Sequence, residues 1–186
     1  MSSNVLARFS RRMATVTLSL MIVMLLLNAL LWLYPELARP DGWGLGFALT
    51  ERQLSHIADA AAHFAWWQTL GGIVLSSIPL LALAAGLDHL RRLFQRYAQG
   101  EYFARDTAVL LGKVGRAVAL WVLLDFLCEP LLSLWLTQQA PVGERLVTVS
   151  ITAASFVALF LAACIAVIAR ILAQASEVDR ENRTFI

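Results

Sequence analysis

Four long apolar segments alternate along the chain with shorter stretches that hold most of the charged residues. A helix needs about 20 apolar residues to cross a bilayer, and only helices or closed barrels satisfy their backbone polar groups in lipid. The pattern therefore predicts an all-α, polytopic membrane protein with four transmembrane helices in a bundle. The predicted spans cover residues 14–34, 66–87, 117–136 and 147–169.

The amino-acid composition is typical of a membrane protein. Of the 186 residues, 59% are hydrophobic and 15% are charged, whereas soluble domains carry roughly 25% charged residues. The net charge of +2 is too small to indicate direct binding of nucleic acid. The first partner that the sequence predicts is the lipid bilayer itself.

The basic residues fix the direction of the spans. Twelve of the 15 Lys and Arg residues precede span one, lie between spans two and three, or follow span four. The other three, Arg39, Arg52 and Arg145, lie on the opposite side. Because basic residues concentrate in cytoplasmic segments, we expect both termini, including the tail 170–186, to be cytoplasmic.

The outer segment 36–65 contains a capping box, Thr50 to Gln53, which predicts a helix within it. Three side chains on that helix would share a face at i, i+3 and i+7: His56, Asp59 and His63. They could form an external metal or proton site, or a solvated helix face. The second interpretation is favoured, because three mixed ligands on one helix are a weak metal signal. No cofactor is predicted.

The segment 88–116 is predicted to form a cytoplasmic helical hairpin that extends spans two and three. Apolar residues recur at helical spacing from Leu87 to Tyr97, Gly100 is placed to end the helix, and a second helix from about Arg105 leads into span three. Its charges either dock a partner or anionic lipid, or only fix topology. The candidate partner-binding residues are Arg91, Arg92, Phe94, Tyr97, Tyr102 and Phe103.

Several short motifs of this hairpin and of the tail form a recognisable set: Leu90-Arg91-Arg92-Leu93-Phe94, Tyr97, Gly100-Glu101, Phe103, Gly115, and the close from Ala175 through Glu181-Asn182 to Ile186. They resemble the signature of the domain of unknown function 2975 family. Ala104 stands where that family usually has Thr, and Thr184-Phe185 where it has Leu-Thr.

The resemblance implies a small bacterial four-span protein of the inner (plasma) membrane. Members are often encoded beside small helix-turn-helix regulators, which suggests such a regulator as a cytoplasmic partner. This suggestion is an analogy at the level of the family.

Span three carries two carboxyl groups, Asp125 and Glu129, on one face and near the bilayer midplane. A charge there costs at least about 2.5–3.5 kcal/mol, so both are expected to face the bundle interior or to be protonated. Pro130 frees a backbone carbonyl beside them. They either bind a cation or relay a proton, or hold the helices together by hydrogen bonds. Candidate partners at similar depth are Ser76, Ser77 and Ser155.

Span four carries alanines at i+4 spacing, at positions 154, 158, 162 and 166. Such a seam allows close helix packing, either within the bundle or between copies in a homo-oligomer, and the first is favoured.

The chain contains no Walker loop, HExxH, CxxC or GxSxG motif, and we expect no enzymatic activity. The predicted function is that of a regulatory or accessory membrane protein, which engages a partner through its hairpin and tail. The alternative is a small channel or transporter that uses Asp125 and Glu129 for a cation or proton.

Overall fold

The computed structural model of the protein describes residues 3–34, 66–100, 105–138, 147, 149 and 152–184. Helix is the only regular secondary structure in these ranges. The helices are α1 (Ser3–Leu33), α2 (Trp66–Ala98), α3 (Arg105–Thr137) and α4 (Ala153–Thr184). Each contains a segment long and apolar enough to cross a membrane. The predicted fold class, all-α with four such helices, is confirmed.

The helical extensions of spans two and three are also confirmed. Helix α2 continues beyond Leu87 to Ala98, and α3 begins at Arg105, well before the predicted start of span three. The turn between them contains Gly100 at φ 87°, the left-handed conformation that favours glycine. The Gly100 N–H donates to the Tyr97 carbonyl at 3.1 Å, which closes the end of α2.

The fourth helix starts later than the apolar pattern predicts. The expected start was Val147, but Val147, Val149 and Thr152 lie outside the helix, which begins at Ala153. The segment 147–152 is rich in β-branched residues, whose restricted χ1 angles disfavour helix. Thr152 also stands directly before the first helical residue, where threonine is a preferred cap.

The four helices contribute to two compact units. The tryptophan unit comprises Ile22–Leu81 and Trp121–Thr152, and the hairpin unit comprises Met1–Met21, Ala82–Leu120 and Ala153–Ile186.

The tryptophan unit has an apolar core shared by α1 and α3. Leu31 and Trp32 of α1 pack with Leu132 and Leu136 of α3, and none of the four is more than 5% exposed. Partly buried side chains of α2 surround this core, among them Ile73. The core therefore brings three helices together in this unit.

The hairpin unit relies on small residues for close packing. A Cβ at Gly115 of α3 would lie 3.0 Å from the Ala162 carbonyl oxygen of α4, and one at Gly112 would lie 3.7 Å from the Ala169 Cβ. Ala162 and Ala169 are buried, whereas Ala154 is exposed. Of the alanine seam, Ala162 packs against α3, whereas Ala158 is half-buried and Ala166 is exposed.

Candidate functional site

Two serines of α2 share one buried amide of α1. The Asn28 side chain is 1% exposed. Its Nδ2 atom donates hydrogen bonds to the Oγ atoms of Ser76, at 3.1 Å, and Ser77, at 3.2 Å. The two serines predicted as intramembrane polar residues therefore meet α1 at Asn28.

The Ser76 hydroxyl uses its full hydrogen-bonding capacity. It accepts a hydrogen bond from the Trp32 Nε1 at 2.9 Å as well as the one from Asn28, and it donates to the Ile73 carbonyl at 3.2 Å. A hydroxyl has one donor and two lone pairs, so all three are occupied. Unsatisfied polar groups are costly in hydrocarbon, which makes Ser76 a junction that fixes α1 against α2.

Adjacent glycines allow two tryptophans to approach α2. A Cβ at Gly72 would lie closer than 3.0 Å to the Trp32 ring, and a Cβ at Gly71 would meet the Trp135 ring in the same way. Trp135 of α3 also donates from Nε1 to the backbone carbonyl of Gln68 at 3.2 Å. Any larger residue at either glycine would push α1 or α3 away from α2.

Trp135 makes a further aromatic contact within α2's first turn. Its ring meets the Trp67 ring edge to face, with centroids 5.6 Å apart and an interplanar angle of 84°. Aromatic pairs prefer this arrangement because the positive ring edge meets the negative ring face. The contact fixes the rotation of α3 about its own axis.

The two predicted carboxyl groups of α3 differ in burial. Glu129 is 1% exposed and Asp125 is half-buried, and each takes part in a polar or electrostatic interaction. Both lie on one face of α3, and Asp125 is one turn farther than Glu129 from the apolar core. Glu129, Leu132 and Leu136 are spaced i, i+3 and i+7, so they share the packed face of α3.

Asn28 of α1 and Glu129 of α3 occupy corresponding positions next to the apolar core. Asn28 stands one helical turn before Leu31 and Trp32, and Glu129 one turn before Leu132. The core joins those faces of α1 and α3, so each helix buries a polar side chain one turn before it. Both residues make polar interactions. Asn28, Ser76 and Glu129 are thus three of the buried polar residues of the tryptophan unit.

Ser133 and Ser155 are two further polar residues of the helices. The Ser133 Oγ, on the turn after Pro130, donates to the Pro130 carbonyl at 2.9 Å. Ser155, the remaining predicted member, is half-buried on α4 and belongs to the hairpin unit.

The hairpin unit contains an open cleft between the ends of α2 and α3. The cleft has a volume of about 390 Å³. Arg96 of α2 and Asp106 of α3 form an ion pair across the hairpin at 3.9 Å, with side chains 43% and 71% exposed. The lining includes Arg92, Arg96, Asp106, Val109, Leu110 and Lys113. Three basic groups and one acidic group give this set a net charge of +2.

The described partner-binding candidates lie on α2 near this cleft. Asp88 forms ion pairs with Arg91, at 3.6 Å, and with Arg92, at 2.7 Å, through i, i+3 and i, i+4 contacts. Phe94 and Tyr97 are half-buried. Among the candidates that the structure describes, Arg92 lines the cleft, whereas Arg91, Phe94 and Tyr97 lie at other positions on the helix.

Several predicted residues lie outside the part of the chain that the structure describes. These are Tyr102 and Phe103, and the weak metal candidates His56, Asp59 and His63. Among the described residues, no group of three or more His, Cys, Asp or Glu side chains is close enough to hold a metal ion.

The sequence interpretation missed the roles of Trp32, Asn28 and the glycine pair. The available signal was the i, i+4 spacing of Asn28 and Trp32, which places two hydrogen-bond donors on one face of span one. Gly71-Gly72 opposite such a face favours close contact.

Four helices long and apolar enough to cross a membrane, within the part of the chain that the structure describes, indicate a multi-pass membrane protein. The chain belongs to the family described as proteins of unknown function, DUF2975, which matches residues 13–186. The resemblance in the hairpin and tail motifs is thus confirmed over nearly the whole chain. No curated protein and no solved structure matches the chain.

Proposed function

We propose that this protein is a non-enzymatic regulatory or accessory protein of the bacterial inner membrane, whose α2–α3 hairpin engages a protein partner in the cytoplasm. The observation that carries the proposal is the continuation of both helices beyond their apolar segments. Residues 88–98 of α2 and 105–116 of α3 are helical. At 1.5 Å per residue they project about 16–18 Å.

A projecting hairpin of this kind is more than a connection requires. Helices that only needed to be joined could be linked by 2–8 residues. The hairpin also has buried side chains of its own, Leu93 and Ala108, at 3% exposure each. Such internal packing supports a preformed surface, which binds with little loss of conformational entropy.

The cytoplasmic location rests on the basic residues. Arg91, Arg92, Arg96, Lys113 and Arg116 all lie in the hairpin, and such clusters favour the cytoplasmic side of a membrane. The same rule assigns both termini to the cytoplasm, so the tail would emerge beside the hairpin. The family resemblance suggests a small helix-turn-helix regulator as the partner class.

Affinity capture of the full-length protein from native membranes in mild detergent tests the proposal. Phe94→Ala and Tyr97→Ala should each reduce recovery of the partner several-fold. Phe160→Ala is the matched control, because Phe160 is an aromatic residue of α4 with 68% exposure within an apolar segment. Equal recovery by all three variants and the wild type would refute a partner site on the hairpin.

A second candidate function is supported by the burial of Glu129. A carboxyl group with 1% exposure inside an apolar helix is expensive to retain, and intramembrane ionisable residues often mark ion or proton pathways. Proton or cation flux into vesicles that contain the purified protein tests this function. Flux that Glu129→Gln abolishes would support transport, and its absence in the wild type would exclude it.

A further inference from the structure

We infer that the cleft between the ends of α2 and α3 is a groove in which an acidic amphipathic helix of the protein partner docks. The inference rests on the proposed function, because it names the chemistry of the partner that the hairpin engages. Three observations support it: the distance of the cleft from the predicted spans, the pattern of its lining, and the charge of the hairpin.

The cleft lies beyond the level of the lipid headgroups. Val109 is eight residues before Ala117, where span three is predicted to start, and Gln99 is twelve residues after Leu87, where span two is predicted to end. At 1.5 Å per residue these positions are about 12 Å and about 18 Å beyond the spans. The headgroup layer extends only roughly 5–8 Å beyond the hydrocarbon. A ligand of the cleft is therefore a molecule of the aqueous phase rather than a lipid.

The lining of the cleft consists of one row of side chains on each helix. Both rows have the spacing i, i+3, i+4 and i+7, which is one helical face about two turns long. The rows are Arg92, Gln95, Arg96 and Gln99 on α2, and Asp106, Val109, Leu110 and Lys113 on α3. Helix α4 contacts α3 at Gly112 and Gly115, outside this face. The cleft, of about 390 Å³, is thus a groove between two helices that accepts side chains of a third.

Two apolar residues occupy the middle of the α3 row. Val109 is 45% exposed, and no other large apolar side chain is exposed among the hairpin residues that the structure describes. Leu110, beside it, is half-buried. Six of the eight lining residues are polar, whereas small-molecule pockets are lined mainly by apolar groups. An apolar centre with a polar rim is instead the usual pattern of a protein–protein interface.

The charge of the hairpin favours an acidic partner. The segment 88–116 has six basic and three acidic residues, a net charge of +3. Arg92 is paired with Asp88 at 2.7 Å. Arg96 is paired with Asp106 at 3.9 Å and takes part in a further interaction. Both arginines keep these bonds, and they attract an acidic segment through the positive potential of the whole hairpin.

Lys113 provides the direct contact for a carboxylate. Its side chain is exposed, and it forms no ion pair within the described residues. Lys113 lies one turn after Val109, so an aliphatic side chain and a carboxylate one turn apart on a docked helix can meet both. The docking segment is therefore expected to carry Asp or Glu three or four residues from Leu, Ile or Val.

Site-specific photo-crosslinking of the full-length protein in native membranes provides the test. A photoreactive amino acid at Gln95, an exposed residue of the lining, captures the occupant of the cleft, and mass spectrometry sequences the crosslinked peptide. We expect a segment of another protein with net negative charge and the spacing given above. Lys113→Gln should lower the adduct yield about fivefold, because an exposed ion pair contributes at most about fivefold to binding. Lys113→Arg should restore the yield.

Arg116→Gln is the matched control. Arg116 is an exposed residue of α3, one turn from Lys113 and outside the cleft lining, so its loss should change the yield less than twofold. Val109→Asp places a carboxylate at the apolar centre and should lower the yield at least about tenfold. Equal effects of Lys113→Gln and Arg116→Gln would overturn the inference. Adducts with lipid alone, with a basic segment, or with this chain itself would overturn it too.

The docking groove and the proposed function can fail separately. Lack of a protein adduct at Gln95, with partner capture that still depends on Phe94 or Tyr97, would overturn the groove alone. Lack of the adduct together with equal partner recovery by the wild type and both of those variants would overturn the proposed function as well. Circular dichroism of each variant in detergent establishes that the helices remain folded.

Discussion

Replacement of Ser76 by alanine removes the group that joins α1 to α2 in the tryptophan unit. The Ser76 Oγ accepts hydrogen bonds from Trp32 at 2.9 Å and from Asn28 at 3.1 Å. Both donors are buried, at 2% and 1% exposure. Ser77, the next residue, accepts only the second bond of Asn28, at 3.2 Å, and it provides a matched control.

The number of hydrogen bonds that each substitution removes determines the expected loss in the free energy of unfolding. Interhelical hydrogen bonds in membranes contribute on average about 0.6 kcal/mol and at most about 1.7 kcal/mol. Ser76→Ala removes two such bonds and leaves the Trp32 N–H without its acceptor, so we expect a loss of about 1–3 kcal/mol. Ser77→Ala removes one bond from an amide that keeps Ser76, so we expect about 0.6 kcal/mol or less. Both changes gain the same helix propensity, which cancels in the comparison.

Unfolding of the full-length protein in mixed micelles, followed by circular dichroism, measures the free energy of unfolding of each variant. Trp32→Phe combined with Ser76→Ala completes a double-mutant cycle, and the expected coupling is about 0.6–1.7 kcal/mol. A loss for Ser77→Ala equal to or larger than that for Ser76→Ala would refute the reasoning. Zero coupling with Trp32 would refute it as well.

Three further predictions use the same purified protein or intact cells. Gly72→Ala should lower the free energy of unfolding by about 1–3 kcal/mol, because the added Cβ would overlap the Trp32 ring. Gly112→Ala should be neutral or stabilising by up to about 1 kcal/mol, and the same unfolding assay checks both variants. Glu129→Leu should cost about 1–3 kcal/mol and Glu129→Gln clearly less, because the amide retains hydrogen bonding; a Leu variant more stable than wild type would contradict this. A cysteine at exposed Gln99 should react with an impermeant reagent only after cells are permeabilised, and labelling of intact cells would reverse the topology.

Much of the helical architecture was predictable because its signals are local. Helix α2 ends before Gly100, whose φ of 87° explains the stop. The segment from Arg105, predicted to lead into span three, is helical. The start of α4 was misplaced because hydropathy counts Val147 and Val149 as favourable, although β-branched residues disfavour helix.

The pairing of side chains between helices was less predictable for a physical reason. A membrane helix is apolar on almost every side, so its sequence pattern does not show which face packs inward. Asp125 and Glu129 share one face of α3, yet Glu129 is buried and Asp125 is half-buried. Likewise, the contact of Trp32 with Ser76 depends on the register of α1 along α2, and no run of residues in either segment encodes that register locally.

Site-specific photo-crosslinking in native membranes tests whether the hairpin is the protein-binding surface. A photoreactive amino acid is placed at Gln99, exposed beside the α2–α3 turn, and at Phe160 as the membrane-facing control. We predict a discrete protein adduct at Gln99 that disappears in the Tyr97→Ala variant, and lipid adducts alone at Phe160. Lack of a protein adduct at Gln99 in native membranes would contradict the account.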